Sequence, residues 1–95
     1  MAAFVIVDID VKDPTRYEAY KKAAAPTVAA FGGRYIARGG RAERLEGSWD
    51  PKRVVILEFE NLERARAWWS SEAYREPKAL RHATAVSNMI VVEGM

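Results

Sequence analysis

Two stretches far apart in the chain share one alternating pattern. Phe4, Ile6, Asp8 and Asp10 interleave with Val5, Val7, Ile9 and Val11, while Val54, Ile56, Glu58 and Glu60 interleave with Val55, Leu57 and Phe59. β-Branched residues at period two are the signature of a strand, whose successive side chains point to opposite faces. In both stretches one face is wholly apolar, and the other runs two apolar residues and then two acids. Strands with large apolar side chains on both faces need cover on both sides, so the pattern requires a sheet with helices on one face and something further on the other.

The intervening segments supply the helices. Asp13 offers an N-cap with Pro14 at the first helical position, and Tyr17, Tyr20, Ala24, Val28 and Phe31 recur at helical spacing until Gly32-Gly33 stops the segment. Pro26 lies inside it and is expected to kink or divide it, since proline lacks the N–H and crowds the preceding turn. Arg34 to Glu46 is expected to be a strand with a bulge or bend at Gly39-Gly40. A turn over Gly47-Ser48-Trp49-Asp50-Pro51-Lys52 then leads to a hairpin partner from Arg53 to Glu60. Asn61 caps a helix over Leu62–Trp69, Ser71 caps a further helical stretch interrupted by Pro77, and Asn88 to Glu93 is the last strand, closed by Gly94.

Strand, helix, strand, strand, helix, strand is the split βαβ plan of ferredoxin-like domains. The class is therefore α+β: a ferredoxin-like βαββαβ domain over residues 1–95, with a four-stranded antiparallel sheet and helices on one face. Right-handed crossovers place the first and third strands side by side in the centre, and these two are expected to run parallel. Val5, Val7, Ile9, Val55, Leu57 and Phe59 then serve the helices. Phe4, Ile6, Val54 and Ile56 are left on the open face, with Ile36 and either Ile90 or Val91 as additions. A chain of 95 residues buries only about 60 to 65% of its unfolded surface alone. The simplest cover for the open face is the same face of a second copy, giving a dimeric α/β barrel.

Composition narrows the function. Fifteen Lys and Arg against thirteen Asp and Glu leave a net charge of +2, and the cations are interleaved with apolar or acidic neighbours, which argues against nucleic acid as a partner. There is no cysteine, so no disulfide, thiolate nucleophile or cysteine metal site exists, in keeping with a cytoplasmic setting. No apolar run reaches the roughly 18 to 20 residues of a membrane span. The apolar opening lacks a basic leader and is broken by Asp8, as a strand and not a signal peptide would be.

The runs Tyr35-Ile36-Ala37-Arg38-Gly39-Gly40, Leu45-Glu46-Gly47-Ser48-Trp49-Asp50-Pro51-Lys52-Arg53, Glu58-Phe59, Ala67-Trp68-Trp69-Ser70-Ser71-Glu72-Ala73-Tyr74 and Val92-Glu93-Gly94 resemble the domain of unknown function 1330 family of the dimeric α/β-barrel superfamily. The resemblance covers essentially the whole chain and implies a ferredoxin-like fold whose two open faces meet in a dimer. It implies no reaction, because the superfamily holds cofactor-independent oxygenases, isomerases, haem enzymes and binding modules. The chain departs from the family pattern at Trp69, where Tyr is more usual, and at His82 and Asn88, where other polar residues are usual.

Among residues that could carry chemistry, Asp8 and Glu58 come first. On parallel neighbouring strands about 4.8 Å apart they would share a cleft, and one carboxyl would become a general acid or base. Arg38 would hold a carboxylate or a developing oxyanion, and Trp49, on its turn, would shape the pocket or pack across a dimer. The same acids could instead sit at solvated strand ends or pair with Arg34, Arg38 or Arg53. His82, the only histidine, is either an exposed or capping side chain or a ligand-binding residue in a cleft, and it cannot build a two-histidine metal site. Of the adjacent Trp68 and Trp69, at most one is expected to be central to the core and the other to line a rim or an interface. Tyr17, Tyr20 and Tyr74 are expected to face the core with hydroxyls open to water. The expected function is binding of a small, partly apolar molecule by a homodimer. One version is a cofactor-independent oxygenase or isomerase using a cleft carboxylate, and the other a non-catalytic ligand-binding or structural module. Neither metal nor cofactor is expected.

Overall fold

The computed structural model describes residues 1–95. Strand β1 (Ala3–Val11) leads into helix α1 (Pro14–Ala30), then β2 (Arg34–Arg38), β3 (Val54–Phe59), α2 (Leu62–Trp69), α3 (Glu72–Thr84) and β4 (Ala85–Glu93). The strands form one sheet in the order β2-β3-β1-β4. No helix is long and apolar enough to cross a membrane.

Each helix begins where a short polar side chain answers an orphan backbone N–H. Asp13 accepts from Arg16 N–H at 3.2 Å, Asn61 from Arg64 N–H at 2.8 Å and Ser71 from Tyr74 N–H at 3.1 Å. Pro26 lies within α1 without dividing it. The second helical region is cut at Ser70-Ser71, and α3 passes into β4 with no loop, so β4 starts three residues before the expected Asn88.

The sheet is antiparallel throughout, which corrects the expectation for its centre. β1 pairs with β3 antiparallel, Phe4 opposite Glu58, Ile6 opposite Ile56 and Asp8 opposite Val54. Each helical crossover passes over one intervening strand, so it links the parallel but non-adjacent pairs β1/β2 and β3/β4 and leaves neighbours running oppositely. The second strand is also shorter than expected. It stops at Arg38, its irregularity falls between Tyr35 and Ala37, and residues 41–45 form no strand. Gly39 ends it at φ +70°, where a side chain is strained and a Cβ would overlap the Arg53 guanidinium.

The core lies between sheet and helices. Val5, Val7, Ile9, Val55, Leu57 and Phe59 are buried there, as their parity requires. Trp68 is its hub. Its ring centroid lies 5.5 Å from Phe59 and 4.2 Å from Tyr74. Its indole N–H is satisfied by Thr27 Oγ1 at 3.0 Å, and that hydroxyl donates in turn to Ala24 O at 2.6 Å. Gly33 permits the close approach of the turn after α1, because a Cβ there would fall 2.6 Å from the Phe59 ring. On the opposite face Phe4, Ile6, Val54 and Ile56 are half-exposed and Ile36, Ile90 and Val92 more so. Ile90 stands on this open face opposite Ile6, whereas Val91, opposite Val5, belongs to the helix side.

Candidate functional site

The register separates the two carboxylates that a parallel centre would have joined. Glu58 lies opposite Phe4, four residues along β1 from Asp8, or roughly 13 Å at strand rise. Each acid is occupied where it stands. Arg34 Nε donates to Glu58 Oε1 at 2.6 Å from the neighbouring strand. Asp8 accepts from Trp49 Nε1 at 2.8 Å, from Lys52 N–H at 2.8 Å and from Arg53 N–H at 3.1 Å. Burial works to raise the Asp8 carboxyl, but the indole, the two backbone donors and the Lys52 charge outweigh it and hold the group below its usual range. Asp8 and Trp49 are thus brought together, as a clasp that fastens the long β2–β3 connection onto the open face. Their shared depression, lined also by Ile6, Asn88 and Ile90, lies on the face that needs cover.

Arg38 stands apart from both. Its guanidinium lies 4.4 Å from the centroid of Tyr35, and it lines a mainly basic depression with Glu18, Lys21, Lys22 and Arg53 beside α1, on the helix side of the sheet. Arg53 presses on Gly39, and its Nε is buried without a partner.

The remaining predicted residue, His82, leads to a different place. A cleft of about 470 Å³ opens between α2, the end of α3 and the edge strand β4. Val5, Ala65, Trp69, Met89, Ile90 and Val91 form its apolar wall, while Arg66, Ser70, Arg81, His82 and Ser87 supply the polar groups. No carboxylate lines it. Trp69 is 46% exposed whereas Trp68 is 1% exposed, so the adjacent indoles divide between rim and core as their angular separation on a helix requires.

Arg81 is the group the sequence did not announce. It is 2% exposed, and no salt bridge reaches it. Its Nε donates to Ser87 Oγ at 3.2 Å and Nη1 donates to Tyr74 Oη, which bonds Tyr20 Oη at 2.7 Å. Nη2 lies 3.2 Å from His82 Nε2, and because a guanidinium can only donate, the ring nitrogen is the acceptor and the imidazole is neutral. Desolvation, the Arg81 charge and Lys78 all push the His82 pKa down, in agreement with that state. The Tyr20 and Tyr74 hydroxyls therefore sit within a hydrogen-bond chain, contrary to the expectation that they are wet. Burial, the neighbouring Tyr20 and the bond to it drive the Tyr74 phenol far above its ordinary range despite Arg81, so it stays protonated. A signal was present in the spacing: Tyr74, Pro77, Arg81 and Thr84 form the buried stripe of α3, and a cation on such a stripe is rare unless paired. No group of three or more His, Asp or Glu side chains stands where a metal ion could be held.

The domain of unknown function family DUF1330 matches residues 2–95. The chain belongs to that family. No functionally curated protein matches it. Among solved structures, RPA0582, a protein of unknown function from Rhodopseudomonas palustris, superposes with a TM-score of 0.81 at 18% identity, over 99% of this chain and 82% of its own. SnoaB, a cofactor-independent oxygenase from Streptomyces nogalater, follows at 0.69 and 11% identity, over 99% and 93% of the two chains. A dimeric ferredoxin-like protein of unknown function from Thermobifida fusca scores 0.67 at 14% identity, over 99% and 92%. At these identities the similarity establishes the ferredoxin-like fold and carries no reaction.

Proposed function

We propose that this DUF1330 protein is a homodimer that binds a small, partly apolar molecule in the cleft between α2, α3 and β4. The observation that carries the proposal is the cleft itself. At about 470 Å³ it falls in the size range of small-molecule sites, and it combines an apolar wall with a few convergent polar groups.

Dimerisation through the open face is supported by the apolar side chains left there and by the dimeric Thermobifida fusca protein of the same fold. Covering Phe4, Ile6, Val54 and Ile56 contributes roughly 1.5 to 3 kcal/mol per side chain before association costs. The acids do not belong to the cleft. A cofactor-independent oxygenase or isomerase acting there would find no carboxylate in its lining and the imidazole lone pair facing Arg81, so the geometry favours binding over proton abstraction.

Native mass spectrometry of the protein as purified tests both halves. It should show a mass of two chains, with a small molecule retained at up to one per chain. Ile56→Asp should dissociate or unfold the dimer, since an unpaired charge in such a contact costs about 3 to 5 kcal/mol. A stable monomer at micromolar concentration would remove the dimer.

A further inference from the structure

We infer that the molecule taken by this cleft carries a carboxylate, or an equivalent planar oxyanion, and that Arg81 is the residue that receives it. The inference rests on the cleft being a ligand site and adds the chemical class of its occupant. A guanidinium removed from water normally has a carboxylate partner, because an uncompensated buried charge is strongly destabilising. Arg81 is 2% exposed and has three neutral acceptors, Tyr74, Ser87 and His82. A guanidinium has five N–H groups, so these three bonds leave two donors free, and the positive charge is met by no anion, only by the face of Tyr20 at 6.0 Å.

The groups around it point the same way. The His82 nitrogen that could accept already faces Arg81, which leaves the opposite ring N–H as its free polar group. Ser87 Oγ receives the Arg81 Nε–H, so its hydroxyl proton is free to be donated outward. Arg66 adds a second cation to the lining, and no Asp or Glu opposes it. Ser70, whose hydroxyl donates to Arg66 O, keeps only acceptor capacity, but the other polar side chains of the lining have donors to spare and its charges are all positive, which selects an acceptor with negative charge. The fork geometry of arginine matches a carboxylate's two oxygens, with the Tyr74 hydroxyl and Ser87 holding the fork in position. The apolar wall of Trp69, Met89 and Val91 requires that the rest of the molecule be a flat or branched hydrocarbon body.

The test uses matched probes, benzoate and 2-naphthoate against the neutral benzamide and 2-naphthamide, added to the intact protein. Binding is read from the Trp69 indole N–H and Met89 methyl resonances in NMR titrations. The acids should shift both signals and bind about tenfold or more tightly than their amides, since only they make the charge-assisted pair. Arg81→Gln should bring the acids down to the affinity of the amides. Should that variant fail to fold, Arg81→Lys, which keeps the charge and loses the fork, should retain only part of the preference. Equal binding of acid and amide by the wild-type protein would overturn the inference while leaving a ligand cleft in place. Binding of neither into the millimolar range would overturn both.

Discussion

Asp8 and Arg81 are opposite charges on opposite faces of one sheet, and they differ in how the chain answers them. Asp8 is met by an indole and two backbone N–H groups from a connection more than 40 residues away in sequence. Arg81 is more deeply enclosed, at 2% exposure, yet it is met only by neutral groups: two hydroxyl oxygens, a ring nitrogen and, 6.0 Å away, the face of Tyr20. A carboxylate that accepts three donors from its own chain, both of the usual sites on Oδ1 being taken, is held as the anion and acts as a fastening. A cation left with spare donors beside open volume has capacity for a partner that the chain does not contain. On the function proposed above, the ligand is met by the basic groups at the edge of the covered face and not by the acids on the open face.

The most disruptive way to test that contrast is to remove the hydroxyl between Arg81 and the core. Tyr74 Oη accepts from Arg81 and bonds Tyr20 in a buried setting. Tyr74→Phe keeps the ring that packs on Trp68 and deletes only these bonds. It should cost about 1 to 3 kcal/mol in urea unfolding, the cost of leaving a buried donor unanswered. If Arg81 lacks a charge partner as the structure shows, addition of 2-naphthoate should restore part of that loss through binding to the folded state alone. A loss under about 0.5 kcal/mol, the size of a surface effect, would mean that Arg81 finds another acceptor.

Much of this arrangement could be read from the chain, and the exceptions have a common cause. Period-two alternation assigns Val5, Val7 and Ile9 to one face and Phe4 and Ile6 to the other, and the structure keeps that division. Asp13, Asn61 and Ser71 start helices because capping is local. Alternation says nothing of direction, however. Phe4-Ile6-Asp8-Asp10 and Val54-Ile56-Glu58-Glu60 look alike on paper, but in antiparallel pairing their acidic halves lie toward opposite ends of the two central strands. The clasp on Asp8 was hidden for a related reason, since residues 39–53 have no period and Trp49 reaches Asp8 only through the tertiary fold. Arg81 was readable only from its place on the Tyr74-Pro77-Thr84 stripe.

Asp8→Asn sharpens the other half of the comparison. An amide offers one carbonyl oxygen to three donors and no charge, so the variant should lose about 1 kcal/mol at neutral pH, discounted for the partial exposure of the site. The pH dependence gives the sign. A carboxyl whose folded pKa lies below its unfolded one contributes stability above the usual carboxylate range and loses it as pH falls through the folded value. The difference between wild type and Asp8→Asn in unfolding free energy should therefore be full at neutral pH and shrink progressively below about pH 4. A difference that stays constant down to strongly acid pH would show that the loss comes from packing of the clasp and not from the charge on Asp8.

The smallest effect is expected at Glu58. Its partner Arg34 is 72% exposed at the side chain while Glu58 is 24% exposed, so water screens one half of the pair and the interaction is a rim ion pair across neighbouring strands. Such pairs contribute about 0.2 to 1 kcal/mol, and less as salt is raised. Glu58→Gln should lower stability within that range in dilute buffer and become nearly neutral near 1 M sodium chloride, and benzoate affinity at the distant cleft should not change. A loss of benzoate binding with the fold intact would tie Glu58 to a cleft whose lining contains no carboxylate. An unchanged affinity, set beside the Tyr74→Phe result, would confine the ligand chemistry of this sheet to the face that carries Arg81.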